Sequence, residues 1–340
     1  MSKINSIEFI RSIAAMLVVL FHIQTVFGVA ANQIPFGGIF SAGHRGVDLF
    51  FVLSGFIITH AHRKDFDKPH RLKNYIFNRF TRIYPAVWIM SAFALIVYFI
   101  FPLSAEKSDK LYLYPIIASF FLLPQASTPL VNVTWTLVYE MFFYVVFSIF
   151  IINFYLGFVI FLIWQSTIVY LIFSDLNVGS NIVYINPLCL EFALGMACAY
   201  LLQVTKKESI SSFFWLSVTV GGGVSFVLGM VLEKDYSFVA ILCPLGAAML
   251  IIGCVRLEEF EWINIPNLFL VLGGASFSIY IVHYSVIQIV AIIFRKIGLP
   301  SSNTICLLFF LIGIISGLMF DILVDKPLQK LLRSIKERYL

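Results

Sequence analysis

The chain has 340 residues, of which 60% are hydrophobic and only 12% are charged, and its net charge is +5. Soluble domains are about 45–50% apolar and about 25% charged, and a domain of about 300 residues still leaves about a quarter of its unfolded surface in water. This composition excludes a soluble enzyme, a nucleic-acid-binding protein and a disordered chain. Because the apolar stretches are continuous rather than alternating, it also disfavours a membrane β-barrel. We therefore predict an all-α polytopic membrane protein.

Ten stretches are suited to cross a membrane, for which about 20 predominantly apolar residues are needed. In chain order the predicted spans cover residues 7–27, 47–60, 83–101, 134–152, 154–173, 185–202, 213–232, 238–255, 268–294 and 304–323. A further apolar stretch at residues 111–123 is short and contains Pro115, which favours a re-entrant or interfacial segment. We predict one integral-membrane domain over residues 1–340.

The positions of Lys and Arg indicate the orientation, because cytoplasmic flanks are richer in these residues. With ten spans and a cytoplasmic N-terminus, 16 basic residues lie inside and 6 outside. A further crossing by residues 111–123 would divide them 11 to 11. We therefore predict ten spans with both termini in the cytoplasm. We also expect the first span to be retained rather than cleaved as a signal peptide, because Glu8 and Arg11 fit such a peptide poorly.

The first span carries Arg11 and His22, and ionisable groups inside a membrane are functional candidates by default. They are 11 residues apart, which places them on one helical face and about 16 Å apart along the axis. Glu8 lies three residues before Arg11 and is expected to pair with it. The structural alternative is that Arg11 anchors the span at the interface and His22 is a buried core residue.

The second span begins with Asp48 and has Ser54 and Gly55 near its middle. A glycine in mid-span permits two helices to approach closely, which is a sufficient structural account of Gly55. A carboxylate in the membrane needs a cation, a polar donor or water. His44 and Arg45, one turn before Asp48, are the candidates.

Residues 63–82 carry seven basic side chains, including Lys73, Arg79 and Arg82. Arg79 and Arg82 are three residues apart and are expected to share a helical face. The topology alone explains a basic cytoplasmic segment, whereas arginine forks also suit phosphate oxygens. The residues leave both interpretations open.

Two later spans carry further ionisable groups. Glu140 lies about two turns below the predicted outer face. It follows Trp135 and Tyr139, aromatic residues of the kind that are typical of a membrane interface. His283 lies near mid-membrane and shares a helical face with Tyr280. A hydrogen-bond network between packed helices is the structural alternative for His283, whereas no structural role accounts for Glu140.

The predicted topology separates these groups into two layers. His22, Asp48 and Glu140 fall in the outer half, whereas the arginines of residues 63–82 fall at the inner face. A phosphate-bearing molecule held inside, with chemistry nearer the outside, fits this pattern, and so does a proton-coupled transporter. The five cysteines all fall in predicted spans and form no CxxC pair or zinc pattern, so we predict no metal site.

Six motifs follow one another in a specific order and spacing: IEFIRSIAAMLVVLFHI, GVDLFFVLSGFII, RFTRIYP, WTLVYE, FSIYIVH and VDKPL. Together they resemble the acyltransferase 3 family of transmembrane acyltransferases over nearly the whole chain, and they are most similar to its exopolysaccharide and O-antigen acetylation branch. The departures are small: Phe277 stands where the family often has Tyr, and Asp325 where it often has Glu.

The resemblance implies a stand-alone membrane O-acyltransferase with no permanently bound cofactor. Its donor would be acyl-CoA, usually acetyl-CoA, used from the cytoplasmic side. Its acceptor would be a sugar hydroxyl of a cell-surface polysaccharide or a lipid-linked glycan. It also implies a multi-pass protein of the bacterial inner (cytoplasmic) membrane, surrounded by the lipid bilayer and without a nucleic-acid partner.

On this reading His22 is the general base that takes the proton of the sugar hydroxyl, and either Glu140 or Asp48 orients its imidazole. The residues expected at the donor are Arg11, Lys73, Arg79 and Arg82, and those expected at the acceptor are Ser54, Tyr139, Tyr280 and His283. A covalent acyl-histidine intermediate is an alternative route. A transporter or flippase of acyl groups or glycan intermediates, using the same buried His, Glu and Asp residues, is the alternative function.

Overall fold

The computed structural model describes residues 4–31, 35–100, 109–174, 182–232, 241–297 and 302–339, and these residues form helices joined by turns, with no β-strand among them. The helices are α1 (Asn5–Ala31), α2 (Gly46–His62), α3 (Leu72–Ile100), α4 (Leu113–Phe121), α5 (Trp135–Ile152), α6 (Phe154–Phe173), α7 (Cys189–Val204), α8 (Ser212–Leu232), α9 (Leu242–Glu259), α10 (Asn267–Gly274), α11 (Ser276–Ile297), α12 (Asn303–Phe320) and α13 (Lys326–Tyr339). A π-helical turn, Asp321–Asp325, joins α12 to α13.

Within the described residues, seven helical segments are long and apolar enough to cross a membrane, which identifies a polytopic membrane protein. They correspond to seven of the ten predicted spans. The other three predicted spans correspond to α2, α7 and α9, which are shorter or more polar helices. The total of ten and the cytoplasmic position of both termini stay predictions.

Two stretches differ from a simple span. The ninth predicted span, residues 268–294, is two helices, because the chain breaks at Ala275 between α10 and α11. The apolar stretch at residues 111–123 contains only the nine-residue helix α4, which is about 14 Å long and so too short to cross a bilayer. A left-handed residue, Leu122, ends that helix.

The chain divides into two compact units, and the single domain predicted from the sequence stays a prediction. The first unit comprises Met1–Lys64, Leu188–Phe277 and Phe294–Leu311. Its apolar core is built from α1, α2, α7, α8 and α9, with buried side chains such as Ile10, Leu53, Phe56, Ala199, Phe226 and Ile251.

Two glycines allow α2 and α7 to cross closely in this unit. A methyl group on Gly55 would collide with the carbonyl oxygen of Phe192, and one on Gly195 would collide with that of Val52. The sequence expectation that Gly55 permits close helix approach is confirmed.

Charged side chains of α9 complete the ends of two other helices in the first unit. The Glu258 carboxylate accepts hydrogen bonds from the N–H groups of Asn5 (2.9 Å) and Ser6 (2.7 Å) at the start of α1. The guanidinium of Arg256, a residue only 3% exposed, donates to the carbonyl oxygen of Leu202 (2.7 Å) near the end of α7. Each charge has the sign that the helix end favours.

The second unit comprises Asp65–Pro187, Ser278–Ile293 and Ile312–Leu340. Asn153 joins α5 to α6 in a tight turn, and its side-chain oxygen accepts the N–H of Leu156 (2.9 Å). Asp67, in the left-handed region at φ 58°, accepts the N–H of Phe154 (2.7 Å). The segment before α3 therefore caps the start of α6.

The C-terminal helix α13 lies against the start of α3 in this second unit. Gln329 donates to the carbonyl oxygen of Thr81 (2.7 Å), and Lys336 donates to the side chain of Asn78 (2.8 Å). At the start of α13, Lys326 pairs with the buried Asp321 of the π-helical turn (2.6 Å).

Candidate active site

His22 is half-buried on α1 in the first unit. Its ring centroid lies 5.0 Å from that of Phe21, and the ring centroid of His44 lies 5.2 Å from that of Phe21. Nδ1 of His44 is 3.2 Å from the carbonyl oxygen of Ser41. Phe21 therefore contacts both imidazoles. The sequence offered His44 only as a partner for Asp48, whereas the structure also places it one aromatic ring away from His22, the predicted base.

Arg11 pairs with Glu8 on the same helix, with Nη1 and Oε2 3.3 Å apart. This confirms the pairing expected from their three-residue spacing. The two side chains keep 19% and 12% of their surface exposed. The arginine charge in the first span is therefore compensated locally while part of the guanidinium stays accessible.

Asp48 is 2% exposed and pairs with Arg45, with Nη1 and Oδ2 3.3 Å apart. Arg45 is one of the two partners that the sequence offered. Glu191 of α7, itself 5% exposed, interacts electrostatically with both members of the pair. Ser54, the predicted acceptor-side residue on α2, is 9% exposed.

Glu140 takes part in a network of α3 and α5 in the second unit. The hydroxyl of Tyr144, one turn later on α5, donates a hydrogen bond to Oε1 of Glu140. The guanidinium of Arg79 lies over the Tyr144 ring, 5.7 Å from its centroid. The hydroxyl of Tyr75 donates to the backbone carbonyl of Tyr144 (3.1 Å) and interacts electrostatically with Arg79 and Glu140.

The expected separation of Arg79 from Glu140 into an inner and an outer layer is therefore wrong. The cause is the start of α3: the helix begins at Leu72, eleven residues before the predicted span. Arg79 lies about two turns inside the helix rather than at its end, beside the hydrogen-bond partner of Glu140.

Arg82 contacts a different element from Arg79. Its Nη1 is 3.7 Å from Oδ2 of the buried Asp325, which also accepts hydrogen bonds from Ser278 (3.5 Å) and Gln329 (3.3 Å). The Arg82 side chain is 34% exposed. Lys73 is exposed on the first turn of α3.

Tyr280 is buried and bonds to the start of α5. Its hydroxyl is 2.8 Å from Oγ1 of Thr136 and donates to the carbonyl oxygen of Val133 (3.0 Å), and it interacts electrostatically with Glu140. The structure thus brings Tyr280, Glu140 and Arg79 into one polar cluster of the second unit.

His283 and Tyr139 are buried on the two helices, α11 and α5, that carry Tyr280 and Glu140. His283 is fully buried, its Nδ1 is 2.9 Å from the carbonyl oxygen of Ile279, and its ring centroid is 6.1 Å from that of Tyr280. The proximity of these two rings agrees with the shared face expected from their spacing. Tyr139 is 7% exposed and makes an edge contact with the ring of Trp135 at 5.8 Å.

Three polar residues of these networks were given no role by the sequence analysis. Tyr144 follows Glu140 by four residues, a spacing at which helical side chains meet, but a tyrosine among aromatic residues is inconspicuous. Glu191 and Asp325 are acids in apolar helices, and only the folded chain shows which cations they approach. None of the five cysteines forms a disulfide, and the described residues contain no group of three His, Cys, Asp or Glu side chains arranged for a metal ion.

The sequence model of the acyltransferase 3 family, described as an acyltransferase domain, matches residues 4–323. The exopolysaccharide production protein ExoZ of Rhizobium meliloti (strain 1021) is 29% identical over 314 residues, which are 86% of this chain and 91% of that protein.

A second similarity is shorter. The peptidoglycan O-acetyltransferase OatA of Listeria monocytogenes serovar 1/2a is 30% identical over 100 residues, which are 29% of this chain and 14% of that protein. No solved structure matches the chain.

Proposed function

The chain belongs to the acyltransferase 3 family of membrane acyltransferases, and from this premise we propose that it transfers an acetyl group from acetyl-CoA to a sugar hydroxyl. The donor is used from the cytoplasmic side, and the acceptor is a cell-surface polysaccharide or a lipid-linked glycan. The similarity to an exopolysaccharide production protein and to a peptidoglycan O-acetyltransferase supports a glycan acceptor. The protein would reside in the inner membrane of a bacterium.

His22 is the proposed general base. A neutral imidazole takes the proton of the sugar hydroxyl as the hydroxyl oxygen attacks the thioester carbonyl carbon. The bond from that carbon to sulfur then breaks, and the imidazolium returns the proton to the departing CoA thiolate. The products are the acetyl ester and free CoA, so atoms and charge balance without a further reactant.

The acids Asp48 and Glu140 are the two candidates to stabilise the imidazolium, following the logic of a base oriented by a carboxylate. The ion pair with Arg45 fixes the position of Asp48, and the hydrogen bond from Tyr144 fixes that of Glu140. Both carboxylates are thus already oriented by neighbours within their own units.

Basic residues supply the proposed donor site. Arg82, Arg79 and Lys73 would hold the CoA phosphates, because guanidinium and ammonium groups bind phosphate oxygens strongly. The partial exposure of Arg82 and the exposure of Lys73 support access by a soluble donor. Arg11 lies about 16 Å along α1 from His22, and the extended pantetheine arm would run along the helix between these two residues.

The acceptor side is assigned to hydroxyl and ring groups that bind sugars through hydrogen bonds and stacking. These are Ser54, Tyr139, Tyr280 and His283. The Tyr280 hydroxyl is already bonded to Thr136 and to the carbonyl oxygen of Val133, which fixes its orientation.

The observation that carries the proposal is the family match over residues 4–323, because it covers His22, Asp48 and Glu140 together. The test replaces His22 with Ala and measures acetyl transfer to surface glycan by mass spectrometry at equal membrane levels. We expect a loss of about 100- to 10,000-fold, the range that general acid–base catalysis contributes. His70→Ala, at an exposed histidine, is the matched control. Near-normal transfer by His22→Ala would refute the assignment.

A transporter or flippase of acyl groups or glycan intermediates is the competing function, since buried His and Glu residues also line transport pathways. Membrane vesicles with acetyl-CoA at the cytoplasmic face and acceptor at the other distinguish the two. An acyltransferase releases free CoA and acetylates the acceptor, whereas movement of either molecule without thioester cleavage would support the transporter.

A further inference from the structure

Tyr144 connects the carboxylate of Glu140 to the guanidinium of Arg79. Its hydroxyl donates a hydrogen bond to Oε1 of Glu140, and the Arg79 guanidinium lies over the face of its ring. The hydrogen bond does not follow from packing alone, because a phenylalanine would fill the same volume and keep the ring contact with Arg79. The hydroxyl is therefore the part of the side chain that needs an explanation.

The backbone and the ring of Tyr144 are also fixed. Tyr144 is 6% exposed, and its carbonyl oxygen accepts a hydrogen bond from the buried Tyr75 hydroxyl at 3.1 Å. Because Glu140 and Tyr144 are one turn apart on α5, a fixed ring also fixes the direction from which the hydroxyl reaches the carboxylate.

The chemistry of the contact favours one form and one orientation of the carboxylate. A phenol that donates to a carboxylate makes a charge-assisted hydrogen bond, which is stronger than a bond between neutral groups. The cation over the ring draws electron density away from the hydroxyl and strengthens it as a donor. Arg79 thereby supports the Glu140 charge through the ring, and the carboxylate loses much of its freedom to rotate.

We propose that Tyr144 is a positioning residue that holds the Glu140 carboxylate for the acyl-transfer reaction, with Arg79 acting through the Tyr144 ring. This inference rests on the proposed function, because it assigns Tyr144 a role through a carboxylate that the proposed reaction uses. It predicts that removal of the Tyr144 hydroxyl oxygen lowers the rate of the chemical step and leaves the binding of acetyl-CoA unchanged.

The experiment compares purified wild-type protein with Tyr144→Phe, Glu140→Gln and the double variant, in acetyl-CoA-dependent acetylation of the glycan acceptor. Tyr144→Phe should lower kcat by about 10- to 100-fold, as expected for loss of a hydrogen bond to a charged group, with the KM for acetyl-CoA within about twofold of wild type. The double variant should be no slower than Glu140→Gln, because Tyr144 acts only through Glu140.

Tyr98→Phe is the matched control. The Tyr98 hydroxyl donates to the carbonyl oxygen of Leu130 (2.9 Å) in the same unit, so this variant also loses one tyrosine hydrogen bond, but one that does not involve Glu140. We expect near-wild-type kcat for this variant. A normal kcat in Tyr144→Phe, an equal loss in Tyr98→Phe, or a further loss in the double variant would each overturn the proposal.

Infrared difference spectra separate this inference from the proposed function. The carboxyl band that Glu140→Gln removes should shift in Tyr144→Phe and stay in place in Tyr98→Phe. If wild-type protein formed no acetyl ester, the proposed function would fail and the catalytic role of Tyr144 with it, while the band shift would still report the contact. If wild-type protein were active and the band did not shift, only the role of Tyr144 would fail.

Discussion

The ion pair between Arg45 and Asp48 gives a stability prediction whose size follows from its geometry. Replacement of Arg45 with Gln leaves Asp48, which is 2% exposed, without its cation and beside the carboxyl group of Glu191. At the observed 3.3 Å, Coulomb's law with an effective dielectric constant of about 20 gives an attraction of about 5 kcal/mol.

Solvation reduces that attraction. The Arg45 side chain keeps 15% of its surface exposed, so water compensates part of the loss, and removal of one partner from a buried pair typically costs about 3–5 kcal/mol. We take about 3 kcal/mol as the expected loss for Arg45→Gln, which lowers the melting temperature by about 5 °C or more.

The five buried cysteines provide the assay, because a thiol-reactive dye labels them only as the protein unfolds. Labelling of detergent-solubilised protein during heating should show a lower transition temperature for Arg45→Gln than for wild type. Arg71→Gln, which changes an exposed arginine, is the control and should show the wild-type transition temperature. A second change, Asp48→Asn, should restore part of the stability because it removes the buried charge that Arg45 offsets in the wild type. An Arg45→Gln protein as stable as wild type would refute this account of the pair.

Three further predictions concern other contacts. Replacing Arg79 and Arg82 together with Gln should weaken acetyl-CoA binding by about 10- to 100-fold, through loss of hydrogen bonds to charged groups, and calorimetry showing unchanged affinity would contradict their donor role. Glu258→Ala should lower the free energy of unfolding by about 1–2 kcal/mol, because it removes the acceptor for the Asn5 and Ser6 N–H groups; an unshifted dye-labelling transition would argue against this cap. Gly195→Val should cost about 1–3 kcal/mol by overpacking against the Val52 carbonyl oxygen, whereas Gly223→Val, at a glycine with open surroundings, should behave as wild type in the same assay.

Local chemistry in the sequence predicted much of the fold. Apolar length alone identified the polytopic helical class and seven helices that the structure shows. The Glu8–Arg11 and Arg45–Asp48 pairs were accessible because three-residue spacing places both partners on one helical face.

Contacts between distant helices were beyond reach of the same reasoning. Tyr75 and Arg79 meet Tyr144 only because α3 packs against α5, and no periodicity in either helix specifies that partner. The start of α3 was missed because its first turns carry polar and basic residues, which hydropathy excludes from a span although they continue the helix. The break at Ala275 was missed because the helices on both sides are apolar, so that mean hydropathy continues across Gly274 and Ser276.

The cap on α1 has a consequence for the order in which the protein is assembled. The carboxylate that completes the first turn of α1 belongs to a residue 252–253 positions later in the chain. At a synthesis rate of about 5–20 residues per second, that residue leaves the ribosome roughly 10 to 50 s after the helix it caps. During this interval the N–H groups of Asn5 and Ser6 depend on water or lipid headgroups, and a chain that stops before Glu258 never acquires their acceptor. The beginning of the chain is therefore completed late in biogenesis, after α9 has been made.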